Sequence, residues 1–205
     1  MKLEKVMKRL IDIMVSIFVL ILLSPLLISL YFLIFIFMGR PVFFRQKRTG
    51  LHKKSFDMFK FRTMNNDKDA NGNLLPDQYR LTPLGSFLRK FSFDELPEFY
   101  NILKGDMSLV GPRPLLIRYL PFYKESEQAR FTVRPGLTGL AQVYGRNDLR
   151  WSTRFKLDVI YVKKQSLCLD FFIALKTFRK VFFAEGVNVV TSKMKDLDVE
   201  RSRTK

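Results

Sequence analysis

Apolar and polar positions divide the chain into two unequal parts. From Ile13 to Met38 there are 26 residues without a charge. A helix of that length would run about 39 Å at ~1.5 Å per residue, and a bilayer core is ~30 Å thick, so it could span with tilt. The stretch is too long for the apolar region of a signal peptide, and no small-residue cleavage site follows it, so it reads as a permanent anchor. Ser24-Pro25 sits near its middle. Proline removes a backbone donor and clashes with the preceding turn, so a kink is expected there. The Ser24 hydroxyl can bond the carbonyl that the proline releases.

Beyond the anchor the pattern changes. Lys54 to Met64 alternates, with Phe56, Met58 and Phe61 against Asp57, Lys60 and Arg62. That predicts a strand, paired with residues 42–46 as a hairpin. Asn65 to Gln78 is polar and turn-rich, hence an exposed loop. Thr82 suits the N-cap of a helix that opens on Pro83 and lines up Leu84, Phe87, Leu88 and Phe91. Further helices are predicted over Glu95–Lys104 (closed by Gly105), Leu115–Phe131, 151–164 and 168–184. In the last, Phe171, Phe172, Leu175, Phe178, Val181 and Phe182 accompany Lys176, Arg179 and Lys180. Such a helix suits a headgroup layer, and equally a core with a basic solvent face. Arg134 to Gly139 is a turn cluster, and the charged stretch from Val190 is expected to be mobile.

The fold class expected is therefore α+β and mostly helical, with an N-terminal helix-break-helix, a small β-hairpin and amphipathic helices. Residues 1–39 form the anchor, 40–189 a domain on the membrane surface, and 190–205 a charged tail.

Charge narrows the partners. Lys and Arg number 36 against 19 Asp and Glu, a formal balance of +17. Nucleic acid, anionic membrane lipids and phosphorylated substrates all attract such a surface, and the apolar segment favours the last two over nucleic acid. Both flanks of the segment are basic: Lys2, Lys5, Lys8 and Arg9 before it, Arg40, Arg45, Lys47 and Arg48 after it. Positive flanks tend to stay cytoplasmic, so a re-entrant hairpin satisfies the rule better than a tilted span. Asp12, just inside the boundary, is expected either to pair with Lys8 or Arg9 one turn back or to stay solvated at the surface. There is one cysteine, Cys168, and one histidine, His52. They leave an intrachain disulfide, a histidine zinc site and a histidine triad without support. Cys168, between Leu167 and Leu169, reads as a packed thiol.

The candidate chemistry centres on Phe93-Asp94-Glu95-Leu96-Pro97. A carboxylate there can be a nucleophile toward phosphorus, a base or a Mg²⁺ ligand. Asp94 could equally be a helix N-cap, and Ser92 with Glu95 fits a capping box. Lys60, Arg62, Arg89, Lys90, Arg113, Arg134 and Arg146 supply cations in loops or at element ends. In Gly111-Pro112-Arg113-Pro114 two prolines fix the backbone around one guanidinium, as bidentate phosphate recognition needs, or as a rigid turn paired to Asp106 would.

Together these stretches are specific. Asp94-Glu95-Leu96-Pro97, the run Asn101 to Pro114, Lys60-Phe61-Arg62-Thr63-Met64, Arg134-Pro135-Gly136-Leu137-Thr138-Gly139 and Lys156 to Val162 closely resemble the bacterial sugar transferases. These are the monotopic polyprenyl-phosphate sugar-1-phosphate transferases, or phosphoglycosyl transferases. Lys8-Arg9 through Asp12, with Ser24-Pro25, resembles their membrane segment, and the resemblance runs from about Lys8 to Ala184. It implies that Asp94 attacks the β-phosphate of a UDP-sugar and displaces UMP, and that undecaprenyl phosphate then takes the phosphosugar from the aspartyl intermediate. It implies Mg²⁺, with Asp94 itself a metal contact, and Glu95 as the second acid. Lys60 and Arg113, with Arg62 and Arg146, would neutralise the diphosphate. Asp158 would position one of those cations. Ser24-Pro25 would be the bend of a re-entrant helix in the bacterial inner membrane, with both ends on the cytoplasmic face. The small members that begin lipid-linked glycan assembly for protein N-glycosylation look most similar, which points to UDP-diacetylbacillosamine as donor. The reading from another class is a membrane-tethered basic binding or scaffold protein without turnover.

Overall fold

The computed structural model describes residues 2–145, 149–183 and 196–202. Two helices open it, α1 (Lys2–Leu22) and α2 (Ser24–Met38), bent by 63° at the break between them. Pro25 lies in the first turn of α2. Its missing donor leaves the Ile21 carbonyl without its helical partner, and the Ser24 hydroxyl donates to that carbonyl at 2.8 Å, as the sequence suggested. Among the described residues no single helix is long and apolar enough to cross a bilayer, whereas the bent pair together passes on length and composition.

The first half of α1 is tied to the rest of the protein by polar contacts. Lys8 Nζ pairs with Asp170 at 2.6 Å and donates to the Val110 carbonyl at 3.0 Å. Arg9 donates to the Ile102 and Leu103 carbonyls at 2.6 and 2.8 Å. Those carbonyls end a helix, where a cation is favoured. Asp12 is buried, and its partner is the Leu109 amide at 3.0 Å rather than Lys8 or Arg9. The outward faces of both helices stay apolar and exposed, through Val6, Phe18 and Ile21 on α1 and Phe32, Ile36 and Phe37 on α2.

The hairpin consists of β1 (Phe43–Thr49) and β2 (Ser55–Phe61), antiparallel, with Phe43 opposite Phe61 and Thr49 opposite Ser55. After α3 (Asp77–Arg80) comes α4 (Pro83–Lys90), capped by the Thr82 hydroxyl, which accepts from the Gly85 amide at 2.9 Å. A Cβ on Gly85 would lie 1.8 Å from the Thr63 carbonyl, so α4 can approach the end of the hairpin only with glycine there.

The helix expected from Glu95 starts later. Ser92 takes a left-handed conformation (φ 57°), Phe93–Glu95 form one 3₁₀ turn, and α5 runs Glu98–Lys104. Neither the Ser92–Glu95 capping box nor an Asp94 cap forms, because no side chain caps either helix start. Gly105 ends α5 with φ 95°, as expected.

Two short strands, β3 (Ser108–Val110) and β4 (Gly136–Thr138), pair in parallel where only loops were expected. Their pairing is made by backbone at close quarters. A Cβ on Gly136 would lie 2.1 Å from the Gly111 amide nitrogen.

The helix expected over Leu115–Phe131 is instead two 3₁₀ segments, Ile117–Phe122 and Glu125–Thr132. Pro121 lies inside the first and cannot supply the donor of an α-helical ladder. After α6 (Leu140–Gly145) the two long helices, α7 (Trp151–Lys164) and α8 (Leu167–Phe182), fall close to expectation. Ile173 of α8 is fully buried, while Phe171, Leu175 and Phe178 are exposed, so an apolar face looks outward. Cys168, read as packed, is exposed.

Leu197–Ser202 form α9, with Leu197 buried in a cluster of Tyr119, Tyr123, Phe131, Trp151 and Phe155.

Candidate active site

Asp94 and Glu95 sit on the 3₁₀ turn between α4 and α5, against the hairpin. Adjacent residues on such a turn point in different directions, and the two carboxylates have different fates. Glu95 Oε1 accepts from Lys60 Nζ at 2.5 Å and from Arg113 Nη2 at 2.6 Å. Burial alone would raise the Glu95 carboxyl, but Arg113 and Lys60 overcome it and hold the group well below its usual range. Asp94 is 9% exposed, and among the described residues none forms a hydrogen bond or ion pair with its carboxylate. Burial raises its pKa, Glu95 adds to the shift, and Lys60, Arg89 and Arg113 oppose it from a distance.

A third carboxylate completes the group. Glu98, on the first turn of α5, is 1% exposed and lies 3.2 Å from Lys60 Nζ. Among the described residues its Oε1 has no aligned hydrogen-bond donor. Burial raises its pKa to about 7, with Lys60 and Arg113 opposing and Glu95 reinforcing. Lys60 is therefore shared. Burial would lower its pKa, yet Glu95 and Glu98 together raise it.

Arg113 is presented from behind. Arg130 Nη2 donates to the Arg113 carbonyl at 2.6 Å, Nη1 donates to the Tyr123 hydroxyl at 2.6 Å, and Asp158 lies 3.2 Å from Nη2. Asp158 itself is 2% exposed, and burial raises its carboxyl to about 6 against the pull of Arg130 and Arg154. Parallel pairing of β3 with β4 seats the turn that precedes Arg113, through Gly136 N to Pro112 O at 3.0 Å and Gly111 N to Thr138 O at 2.9 Å. Arg113 keeps 37% of its side chain open.

Of the residues proposed from sequence, Asp94, Glu95, Lys60 and Arg113 are brought together, and Asp158 stands one layer behind. Arg62 lines the same cleft, but its guanidinium is engaged by backbone. It donates to the carbonyls of Met38, Gly39 and Arg40 and so caps the C-terminus of α2. Arg146 lies outside the described residues. Glu98, Arg48, Arg130 and Arg154 belong to the site or its support and were not singled out. Burial, with repulsion from Arg113, lowers Arg48 and Arg154 to about 10, so the cations crowd one another. The basic stretch around Arg48 was the one signal in the chain that could have flagged it.

The site opens on a cleft of about 2200 Å³ whose wall includes Lys60, Asp94, Glu95, Arg113 and Arg154 and extends to Val19 and Leu23 of the bent helices. A buried carboxylate without a close partner among the described residues, a second one clamped by two cations, and further guanidiniums in mutual repulsion make a centre suited to phosphoryl chemistry on a polyanion.

The protein comparisons give that centre a family. The family described as bacterial sugar transferase matches residues 3–184, and this chain belongs to it and is a phosphoglycosyl transferase. It is 50% identical over 182 residues to an uncharacterized sugar transferase of Bacillus subtilis, covering 89% of this chain and 90% of that one. The undecaprenyl-phosphate galactose phosphotransferase of Salmonella typhimurium is 39% identical over 200 residues, 89% of this chain but 42% of the relative. The UDP-glucose:undecaprenyl-phosphate glucose-1-phosphate transferase of Klebsiella pneumoniae is 39% identical over 86% of this chain and 40% of its own length.

Proposed function

We propose that the protein transfers a sugar-1-phosphate from a UDP-sugar to undecaprenyl phosphate through a covalent phosphosugar intermediate on Asp94. The observation that carries this is the division between neighbours. Glu95 is engaged by Lys60 and Arg113, while Asp94 faces the cleft without a close partner among the described residues. In the first step an Asp94 carboxylate oxygen attacks the β-phosphorus of the donor, and the bond from that phosphorus to the bridging oxygen breaks, releasing UMP. In the second, an oxygen of undecaprenyl phosphate attacks the same phosphorus, and the acyl-phosphate bond breaks. The products are undecaprenyl-diphosphate-sugar and free Asp94.

Burial makes Asp94 more basic and so more nucleophilic, while Lys60 and Arg113 supply positive charge where the diphosphate approaches. Glu95 keeps those two cations in place. Mg²⁺ fits the donor set, because such an ion is commonly held by one or two carboxylates with substrate phosphates and waters, and Asp94 has a carboxylate to offer. Among the described residues no group of three or more acidic, histidine or cysteine ligands exists that would make a site without substrate. Bound there, the ion would supply neutralising charge to the phosphates.

The bend at Ser24-Pro25, the apolar outer faces of α1, α2 and α8, and the basic flanks support a re-entrant anchor in the bacterial cytoplasmic membrane, both ends on the cytoplasmic face. A soluble nucleotide sugar and a lipid phosphate would then meet at one headgroup plane, among anionic lipids.

UDP-diacetylbacillosamine, and with it a place at the start of N-linked glycoprotein assembly, is the finer proposal. UDP-galactose, UDP-glucose and UDP-N-acetylgalactosamine are the competing donors. Purified protein in detergent with Mg²⁺ and undecaprenyl phosphate should release UMP from one of them. Failure with every donor, or equal release by Asp94→Asn, would defeat the proposal.

A further inference from the structure

Resting on that reading of the site, we propose that α9 is a clasp that keeps Arg113 presented to the cleft, with Arg201 and Glu127 as positioning residues. The family match ends at residue 184, so α9 lies beyond it.

The segment between Arg113 and the clasp is weak by its own construction. Residues 117–122 and 125–132 are 3₁₀ turns, one of them holding Pro121. Runs of that length are uncommon because the hydrogen-bond geometry is poor, so their shape must be fixed by other contacts. On the inner side, Arg130 joins this segment to the Arg113 carbonyl at 2.6 Å and to Asp158 at 3.2 Å.

On the outer side the contacts come from α9 and from Asp196 just before it. Arg201 grips Glu127 with both arms, at 2.7 and 2.8 Å, and donates to the Phe122 carbonyl. Glu127 also accepts from the Lys124 amide at 2.9 Å, closing the second turn on itself. Asp196 accepts from the Tyr119 hydroxyl at 2.8 Å and pairs with Arg118. Leu197 fills the cluster beneath, against Tyr119, Tyr123 and Phe155.

Tyr123 links the two sides. Its ring packs on Phe131 and Phe155 in the cluster that Leu197 completes, and its hydroxyl accepts from Arg130. A shift of the outer layer therefore reaches Arg130 and then the carbonyl of Arg113. A misplacement near 1 Å can cost on the order of 10²-fold in an oriented reaction, so support at this distance matters.

The test is UDP binding by titration calorimetry on the full chain in detergent. Arg201→Gln should weaken the Kd by about tenfold, a size usual for coupled neighbours, and the same change in an Arg113→Ala background should cost almost nothing. The exchange Glu127→Arg with Arg201→Glu should recover most of the affinity lost by Arg201→Glu alone. Wild-type affinity in Arg201→Gln would overturn the clasp. So would an equal loss with and without Arg113, since the effect would then be general support of the fold. No UDP binding by the intact chain would remove the reading of the site and the clasp with it.

Discussion

Lys60 and Glu95 meet at 2.5 Å across the gap between the hairpin and the Asp94 turn. The side chains are 14% and 20% exposed, so little solvent screens them. Removing one partner leaves the other charge buried, a larger effect than loss of a surface pair. Lys60→Met should cost about 3 kcal/mol and reduce kcat/KM by at least about 100-fold. Denaturant unfolding and UMP release would measure the two effects. Unchanged stability would mean that the pair contributes nothing net.

Glu98 gives a pH signature. Its folded carboxyl is raised from 4.5 to about 7 by burial, with Lys60 and Arg113 opposing and Glu95 reinforcing. Between those values the folded protein keeps a proton that the unfolded chain has released. This group's contribution to stability is therefore full below pH 4.5, declines as pH rises, and is lost above about 7. Arg48 also faces this group electrostatically. Glu98→Gln, neutral at every pH, should flatten the slope of stability over that window. Midpoints of urea unfolding from pH 5 to 8 would show it. An unaltered slope would assign the titration elsewhere.

Arg62 separates a structural role from a phosphate-binding one. Its guanidinium donates to the carbonyls of Met38, Gly39 and Arg40 at the end of α2, while the residue also lines the cleft. Arg62→Ala should cost about 2 kcal/mol while leaving the KM for UDP-sugar within about twofold in the folded fraction. A tenfold rise in KM with normal stability would instead make Arg62 a phosphate contact.

Gly85 tests the packing that sets Arg89. Arg89 Nε donates to the Thr63 hydroxyl at 3.1 Å, and α4 can lie there only because Gly85 has no Cβ. Gly85→Ala should destabilise by about 1–3 kcal/mol, as overpacking does, and should lower activity by releasing Arg89 from its place near Asp94. Thermal unfolding together with kcat would register both.

The bend of α1 against α2 makes a claim about sidedness. Leu3→Cys and Arg40→Cys should both be labelled by an impermeant thiol reagent from the same, cytoplasmic, side of vesicles. The exposed native Cys168 must first be replaced, since it too would react. Labelling from opposite sides would mean a span.

Much of this was legible in the chain. Residues 151–164 formed the expected helix because apolar spacing and its ends agreed. The hairpin followed from alternation in Phe56, Met58 and Phe61, and the Thr82 cap from Pro83 behind it. The Asp94 motif was found through its resemblance, since locally it read equally well as a cap. What escaped notice has physical reasons. β3 and β4 are three residues each and pair through glycine backbone, which leaves no side-chain period to read. Apolar spacing over 115–131 fits a helix, but Pro121 removes the ladder. Glu98, Arg130 and Arg201 act on partners far away in sequence, and no local pattern announces an ion pair. Arg62 follows Lys60 by two, so alternation gave both the same face. Position along the strand then separated them, with Lys60 at the Asp94 turn and Arg62 at the end of α2.

The most direct measurement is a single turnover without acceptor lipid. Purified protein mixed with Mg²⁺ and its UDP-sugar should release about one UMP per enzyme. A peptide containing Asp94 should then carry the mass of the phosphosugar, and adding undecaprenyl phosphate should remove it. UMP release that waits for the lipid, with no adduct on Asp94, would contradict the covalent route and indicate direct displacement.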